Sequence, residues 1–119
     1  MRFLWVGLGG AVGSVVRYAI GVGAVYQRFP WSTMAINLVG AFLLGLLLTL
    51  GVGRIPIAVL TPLAVGLLGG FTTFSAFAWE AFTMGRGGQM GWSLAYAVGS
   101  VVGGWLLAWL GYGLGQALR

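Results

Sequence analysis

The chain contains no cysteine, histidine, aspartate or lysine, and Glu80 is its only acidic residue. Without cysteine the protein can form neither disulfides nor thiolate metal sites, so cysteine usage does not indicate a redox compartment. A single carboxylate and the lack of histidine exclude paired-carboxylate catalysis, a Ser/His/Asp triad and an ordinary zinc site built from one chain. The sequence therefore predicts that the protein is not an enzyme.

What the chain does contain is mostly apolar. Of its 119 residues, 60% are hydrophobic, 23 are glycine and only 6% are charged. An average soluble domain carries charge on about a quarter of its residues. The net charge of +5 comes from arginines that are scattered singly, not gathered into the basic patch of a nucleic-acid-binding protein. The composition predicts an all-α integral membrane protein whose surroundings are lipid, with no nucleic-acid partner.

Arginines near the ends of apolar stretches divide the chain into four segments, at residues 3–25, 33–52, 55–84 and 91–115. Each segment reaches the roughly 20 residues that a transmembrane helix needs. Because the connecting loops are short, we expect one four-helix transmembrane domain over residues 1–119. A cleavable signal peptide is the alternative for the first segment, but its apolar sequence continues beyond a typical h-region, and we expect it to be retained.

The third segment is too long for one straight crossing. About 30 residues at a rise of 1.5 Å each make a helix of about 45 Å, which exceeds the hydrocarbon thickness. Near the middle of the segment, GGFTTFSAF at residues 69–77 places two glycines before three hydroxyl residues, Thr72, Thr73 and Ser75. Glycine weakens a helix, and hydroxyls can replace lost backbone partners. We expect a broken third helix; one long tilted helix is the alternative.

The orientation in the membrane is nearly undetermined, because the boundary arginines divide three to two. Four crossings place Arg2, Arg54 and Arg119 on one side and Arg28 and Arg86 on the other, so the positive-inside rule barely distinguishes the two orientations. A chain that inserts both ways could pair with an inverted copy of itself as an antiparallel, dual-topology homodimer. Glycine pairs four residues apart allow close helix packing within a subunit as readily as between subunits.

Two charged residues lie within the segments. Arg17 is well inside the first one, on the same helical face as Gly10 and Gly13. A central arginine costs about 2.5 to 3.5 kcal/mol on insertion, so an intramembrane charge is a functional hypothesis by default. The alternative is that an irregular helix end lets Arg17 reach the polar boundary. For Glu80, the simplest interpretation is a boundary residue or an ion-pair partner.

Uncharged polar residues on other segments could form hydrogen bonds with an anion. Asn37 lies one turn beyond Thr33, so the two present an amide and a hydroxyl on the same side. Asn37 could bind an anion or could join helices by hydrogen bonding. On the last segment, Tyr96 and Ser100 share a face, whereas Gly104, one turn further on, supplies no side-chain donor. These hydroxyls could form a track through the membrane.

A row of phenylalanines lies opposite the hydroxyl residues of the third segment. Phe71, Phe74 and Phe77 recur every three residues, which predicts a helical stripe. Core packing is the usual meaning of such a stripe. The edge of an aromatic ring carries partial positive charge, so the rings could instead face a small anion.

Three motifs together resemble the Fluc family of fluoride channels, also called the CrcB family. They are GGAVGSVVRY at residues 9–18, TMAINLVGAF at 33–42 and GLLGGFTTFSAF at 66–77, in order and at fitting spacing. The third is the most specific, and the likeness covers nearly the whole chain. The resemblance implies a fluoride-selective ion channel, located in a bacterial-type cell membrane, that passively exports fluoride from the cytoplasm and so relieves fluoride toxicity.

The resemblance also implies an assembly and a cofactor. A dual-topology homodimer would contain two antiparallel pores and a structural Na⁺ at the dimer interface, held by backbone carbonyls at the break of the third helix. By motif position those carbonyls belong to Gly69 and Thr72. Two from each subunit would surround the ion with four hard oxygen ligands.

Residue roles follow from motif position as well. The fluoride-coordinating phenylalanines fall on Phe74 and Phe77, the pore asparagine on Asn37, and the vestibule arginine on Arg17, while Glu80 matches an acidic position after the phenylalanines. Gly104 departs from the serine or threonine often found at the third position of a polar track on the fourth helix. The remaining polar pore positions implied by the resemblance are Thr33, Thr73, Ser75, Tyr96 and Ser100.

Two other functions compete with a channel. A small multidrug exporter is also a four-span chain capable of dual topology, but such an exporter normally needs an acidic group in its first helix. This chain has Arg17 there, which would repel a cationic drug. The third possibility is a membrane assembly subunit that transports nothing.

Overall fold

The computed structural model describes residues 1–23 and 29–119. Four helical stretches in this part of the chain are long and apolar enough to cross a membrane, as the sequence predicts. Their observed ends lie within a few residues of the predicted ones, except that the predicted end of the first span and Arg28 fall outside the described residues. The four spans are Arg2–Gly23, Trp31–Gly51, Ile57–Arg86 and Met90–Leu118.

The third span consists of several pieces, whereas the other three are continuous. The continuous spans are α1 (Arg2–Gly23), α2 (Trp31–Gly51) and α6 (Met90–Leu118). At Thr72 the third span becomes extended, with φ −82° and ψ 159°. The chain therefore leaves the helix within the predicted GGFTTFSAF stretch, and the alternative of one uninterrupted helix is wrong. The pieces are α3 (Ile57–Thr61), a π-helical segment (Pro62–Leu68), α4 (Gly69–Phe71) and α5 (Ser75–Arg86).

The π-helical segment was not predicted. It begins at Pro62, which has no N–H to donate to the carbonyl four residues earlier, so α-helical hydrogen bonding cannot continue unchanged. π-helical turns are rare and are frequently found at functional sites. The third span thus departs from regular helix first at its proline and again at Thr72.

Glycines bring the spans close together within one subunit. A Cβ added at Gly66 would lie 2.7 Å from the Val6 carbonyl oxygen of α1, and one added at Gly70 would lie 2.5 Å from that of Gly10. Between α2 and α6, a Cβ at Gly111 would overlap the Phe42 carbonyl. Such contacts allow close backbone approach. The glycine pairs therefore serve packing inside the subunit, which is one of the two interpretations left open by the sequence.

The same contacts give the directions of the spans. Gly66 meets Val6 and Gly70 meets Gly10, so α1 and the third span run in the same direction, as do α2 and α6 through their own glycine contacts. Three arginines consequently lie on one side of the bundle and Arg86 on the other, as predicted. The three are Arg2, Arg54 and Arg119.

Among the residues that the structure describes, most large apolar ones are exposed and few form a buried core. The buried hydrophobic residues are Ile36, Leu60, Leu68 and Tyr96. An exposed apolar surface of this extent is unfavourable in water, whereas lipid chains are as apolar as leucine. The surface therefore agrees with a bilayer as the solvent.

Candidate functional site

Asn37 holds the chain at the break of the third span. In a continuous helix the Thr73 N–H would donate to the Gly69 carbonyl. Here it donates to Asn37 Oδ1 at 2.8 Å, and Asn37 Nδ2 donates to the Thr73 carbonyl at 2.9 Å. The amide of α2 therefore replaces partners that Thr73 loses outside the helix. Asn37 does join two spans, which was one of its two predicted roles.

Backbone carbonyls next to the break have lost their helical donors. The Ala76 N–H, the α-helical partner of the Thr72 carbonyl, donates instead to Thr73 Oγ1 at 3.3 Å. The Gly69 carbonyl likewise loses its helical donor, because the Thr73 N–H donates to Asn37 Oδ1. The carbonyl of Gly70, between them, accepts from Arg17 Nε at 3.2 Å. The carbonyls of Gly69 and Thr72 are thus released from helical bonding in a short stretch of backbone.

A cavity of about 390 Å³ opens at this break, and we call it the break cavity. Besides predicted residues it is lined by Gly40, Ala41, Leu44, Ala64, Leu68 and Val101, which were not predicted. A Cβ at Gly40 would overlap the methyl group of Thr72, so this glycine makes room for the broken backbone. Seven predicted site residues also line the cavity: Asn37, Gly69, Thr72, Thr73, Phe74, Phe77 and Ser100.

The phenylalanines do not form the predicted continuous stripe. The break separates Phe71, the last residue of α4, from Phe74 and Phe77, so that part of the prediction is wrong. The Phe74 and Phe77 ring centroids lie 6.0 Å apart at an interplanar angle of 56°. Phe77 meets Tyr96 edge-on at 5.0 Å and 65°. Phe74 borders the cavity, and the residue is 77% exposed in the single subunit.

Ser100 of α6 brings a hydroxyl to the break cavity. Its Oγ atom is buried and has no hydrogen-bond partner among the described residues. Buried polar groups usually have a partner, and this hydroxyl has an O–H donor that is not used by any described residue. At Gly104, one turn further along α6, an added Cβ would meet nothing within 4 Å. Close packing within the subunit therefore does not explain the glycine at that position.

Arg17 and Thr33 line a second cavity, of about 330 Å³, which we call the arginine cavity. Its lining also includes Ser32, which was not predicted, and Thr73, which borders the break cavity too. Although Thr33 and Asn37 are one turn apart on α2, they therefore border different cavities. Thr73 is the described residue that links the two.

Glu80 joins three helices through its carboxylate. Thr33 Oγ1 of α2 donates to Glu80 Oε2 at 3.2 Å, and the Tyr96 hydroxyl of α6 donates to Glu80 Oε1 at 3.4 Å. Tyr96 and Thr33 are both buried. The sequence suggested a boundary residue or an ion-pair partner. The structure instead gives this carboxylate two hydroxyl donors within the helix bundle.

The structure does not bring every predicted residue to a cavity. Ser75, the first residue of α5, is exposed and lies outside both cavities. Gly70, whose carbonyl holds Arg17, and Gly40 were not predicted. The sequence did contain a signal for these two glycines, because Gly40 belongs to the motif at residues 33–42 and Gly70 to the motif at 66–77. What the motifs alone did not reveal is which backbone atoms those glycines expose.

The fold and the site together define a class: a multi-pass helical membrane protein whose third span breaks beside a cavity lined by polar groups and aromatic rings. The chain belongs to the family described as CrcB-like protein, Camphor Resistance (CrcB), which matches residues 4–112. This confirms the family that the three motifs indicated.

Proteins from several bacteria are similar over almost the whole chain. The fluoride-specific ion channel FluC of one Thermus thermophilus strain is 49% identical, covering 98% of this chain and 95% of the relative. FluC 2 of Moorella thermoacetica is 45% identical, covering 94% of each. FluC of Acidobacterium capsulatum is 40% identical, covering 99% of this chain and 98% of the relative.

Proposed function

We propose that the protein is a fluoride-selective channel of a bacterial cell membrane, through which fluoride leaves the cytoplasm passively. Relatives that are 40 to 49% identical carry the name of fluoride-specific ion channels. The observation that carries the proposal is the break cavity. Irregular backbone at membrane depth is tolerated only where it is buried in protein or lines a water-filled cavity. A channel of this kind is not an enzyme.

The groups that would meet fluoride are few and weakly polar. An asparagine amide carries two N–H donors, and one of those of Asn37 is used by Thr73, which leaves one for an anion. The Ser100 hydroxyl has no described partner. The edges of Phe74 and Phe77 would add partial positive charge. Together these groups would replace part of the hydration shell, and narrow confinement would select against the larger chloride ion.

Arg17 and Glu80 would act at one end of the route that fluoride takes to the break cavity. The guanidinium of Arg17 borders the arginine cavity and is anchored by the Gly70 carbonyl, so its positive charge would attract an anion towards the break. Glu80 would position the hydroxyls of Thr33 and Tyr96. Direct contact between its carboxylate and fluoride would be repulsive. We therefore assign Glu80 a positioning role.

The driving force needs no energy-coupling module. Hydrogen fluoride enters a cell as a neutral molecule and dissociates in a less acidic cytoplasm. The trapped anion can then leave down its electrochemical gradient, aided by an inside-negative potential worth about 2.3 kcal/mol per 100 mV. A passive channel would therefore relieve fluoride toxicity.

The working unit in this proposal is an antiparallel, dual-topology homodimer. The near-even division of arginines supports insertion in both directions. Phe74 supports a covering partner, because its ring borders the break cavity and yet is largely exposed in one subunit. A second, inverted copy would cover this ring and close the open side of the cavity. Two such cavities would give two antiparallel pores.

A structural Na⁺ at the dimer interface is part of the same proposal. The carbonyls of Gly69 and Thr72 have lost their helical donors, and carbonyl oxygen is a ligand that suits hard cations. Two inverted copies would supply four such oxygens. When bound, the ion would supply positive charge that offsets the converging carbonyl dipoles. It would remain in place and not be transported.

Neither of the two rival functions is favoured. In a small multidrug exporter the substrate is a cation, and the charged group within the first span of this chain is Arg17, whose guanidinium would repel it. An assembly subunit would not need a cavity at a helix break. Neither rival accounts for a Ser100 hydroxyl that lies at the break cavity without a described partner.

A flux assay tests the proposal. The purified protein is reconstituted into liposomes loaded with potassium fluoride, valinomycin provides a potassium shunt, and an electrode records fluoride efflux. We expect rapid fluoride efflux and slow chloride efflux from matched liposomes loaded with potassium chloride. Fluoride efflux equal to that of protein-free liposomes would reject a channel. Proton-coupled uptake of a cationic drug would favour the exporter, and no transport of either kind would favour the assembly subunit.

Dual insertion has a separate test. Because the chain has no cysteine, a single Gln89→Cys substitution in the exposed turn before α6 gives one label position. We expect impermeant maleimide to label about half of the protein from the outside of intact cells and the rest only after permeabilisation. Labelling from one side alone would contradict inverted pairing without affecting the flux result.

A further inference from the structure

A third cavity, of about 350 Å³, lies between α2 and the third span and is lined by side chains that are all aliphatic. We call it the leucine groove. Leu43, Leu46, Leu47 and Leu50 line it from α2, and Ile55 lies at one end. The groove offers no polar side chain, so neither water nor fluoride would gain a partner in it.

The leucine groove adjoins the break cavity at Leu68, which lines both, and extends from there around α2. Leu50 follows Asn37 by 13 residues, which places it roughly 140° around α2 at 100° per residue. Leu50 therefore lies on a different side of α2 from the asparagine that borders the break cavity. From Leu43 to Leu50 the groove extends roughly 10 Å along the helix, which fits within one leaflet of about 15 Å.

The end of the groove lies at a positively charged boundary. After α2 the chain turns back, with the Ile55 N–H donating to the Gly51 carbonyl at 2.7 Å and Gly53 at φ +81°. A Cβ at Gly51 would lie 3.3 Å from Ile55 Cδ1, so the isoleucine packs over the end of the helix. Arg54 directly precedes it and is exposed. A cationic, exposed residue thus directly precedes, along the chain, the isoleucine that lines one end of an apolar groove.

We propose that the leucine groove and Arg54 bind one anionic glycerophospholipid, with an acyl chain in the groove and the phosphate at Arg54. A surface lined only by branched aliphatic side chains matches a hydrocarbon chain, which makes no hydrogen bonds. A guanidinium matches a phosphate, because its N–H groups can form paired charge-assisted hydrogen bonds. This inference does not depend on fluoride conduction.

Native mass spectrometry of the purified protein tests the proposal, with phosphatidylglycerol as the probe and phosphatidylcholine of the same acyl chains for comparison. We expect phosphatidylglycerol to bind more tightly. Arg54→Gln should weaken its binding by about fivefold, since one arginine near an anionic headgroup contributes about that factor. Leu50→Trp should weaken the binding of both lipids by filling the groove.

Matched variants separate this site from general surface effects. Arg119→Gln removes another arginine from the same side, and Leu106→Trp enlarges an exposed leucine on α6. Both should retain phosphatidylglycerol like the unchanged protein. Equal losses in Arg54→Gln and Arg119→Gln would overturn the proposal in favour of bulk surface charge. Unchanged binding in Arg54→Gln would overturn it too, and so would dimer dissociation by Leu50→Trp without loss of lipid, because the groove would then be a protein interface.

Discussion

Asn37 forms two hydrogen bonds with the backbone of Thr73, one with its N–H at 2.8 Å and one with its carbonyl at 2.9 Å. This pairing lets the third span leave the helix without leaving both backbone groups of Thr73 unsatisfied in a low-dielectric region, where an unpaired polar group is costly. The same side chain borders the break cavity. The residue that stabilises the break is therefore also one that would meet the ion.

Substituting Asn37 should separate these two roles. Asn37→Leu removes both hydrogen bonds and should lower the free energy of unfolding by about 1–3 kcal/mol for each group left unsatisfied. Asn37→Asp keeps an acceptor for the Thr73 N–H but adds a negative charge. It should lower fluoride flux by about tenfold or more through repulsion, with a smaller loss of stability than in the leucine variant. Thermal unfolding in detergent and liposome flux measure the two effects. Flux unchanged in Asn37→Asp would contradict a place for Asn37 in the pore.

Replacing either cavity phenylalanine should impair conduction without dissociating the proposed dimer. Phe74→Ile or Phe77→Ile removes a ring edge, and a loss of about 1.4 kcal/mol of ion stabilisation would lower fluoride flux about tenfold. Phe82→Ile is the control, because Phe82 is an exposed ring of α5 that lines neither cavity. Chemical cross-linking monitors the dimer. Normal flux in both cavity variants would reject ring edges as ligands.

The two hydroxyl bonds to Glu80 should be coupled. Thr33→Val and Tyr96→Phe each remove one donor from the carboxylate, at a cost of about 0.5–1.5 kcal/mol each, because both bonds are longer than the usual O–H···O distance. After one loss the other hydroxyl still serves the carboxylate, so the double variant should be destabilised by more than the sum of the single ones. A double-mutant cycle on the free energy of unfolding should give a coupling of about 0.5–3 kcal/mol. Simple additivity would show that Glu80 does not link the two helices energetically.

Glycines at two positions of α6 should respond in opposite ways to alanine. At Gly104 an added Cβ meets open space, so Gly104→Ala should be neutral or stabilise the helix by up to about 1 kcal/mol. At Gly111 it would overlap the Phe42 carbonyl, so Gly111→Ala should destabilise the protein by about 1–3 kcal/mol. Differential scanning fluorimetry compares the two variants. A destabilised Gly104→Ala would mean that this position is covered in the dimer.

The number and extent of the spans could be predicted from the sequence, because a bilayer requires a minimum length of apolar helix and permits charge mainly at its boundaries. The region of the break was predictable for a related reason. Two glycines followed by Thr72 and Thr73 weaken the helix and supply replacement partners in the same short stretch. The family motifs then located most residues of the break cavity.

Other features of the site could not be predicted from any local pattern in the sequence. Thr33 and Asn37 share a helical side but border different cavities, because the broken third span lies against α2 between them and Thr73 reaches both. Ser75 belongs to the most specific motif and yet is exposed, since the break changes the direction in which the residues after it point. The prediction of a stripe of three phenylalanines required a continuous helix. It is wrong because the helix is interrupted at Thr72, between the first and second of them.

The sequence by itself determined that this chain spans a membrane four times, contains a single carboxylate and no histidine, and breaks its third crossing, because composition and helix propensity act over short distances. Only the tertiary structure decided which hydrogen-bond partners the polar groups around the break have. Asn37 bonds to the backbone of Thr73, and Arg17 donates to the Gly70 carbonyl. Glu80 accepts hydrogen bonds from hydroxyls of two other helices. Those pairings depend on the close approach of separate spans in three dimensions, which no spacing along the chain specifies.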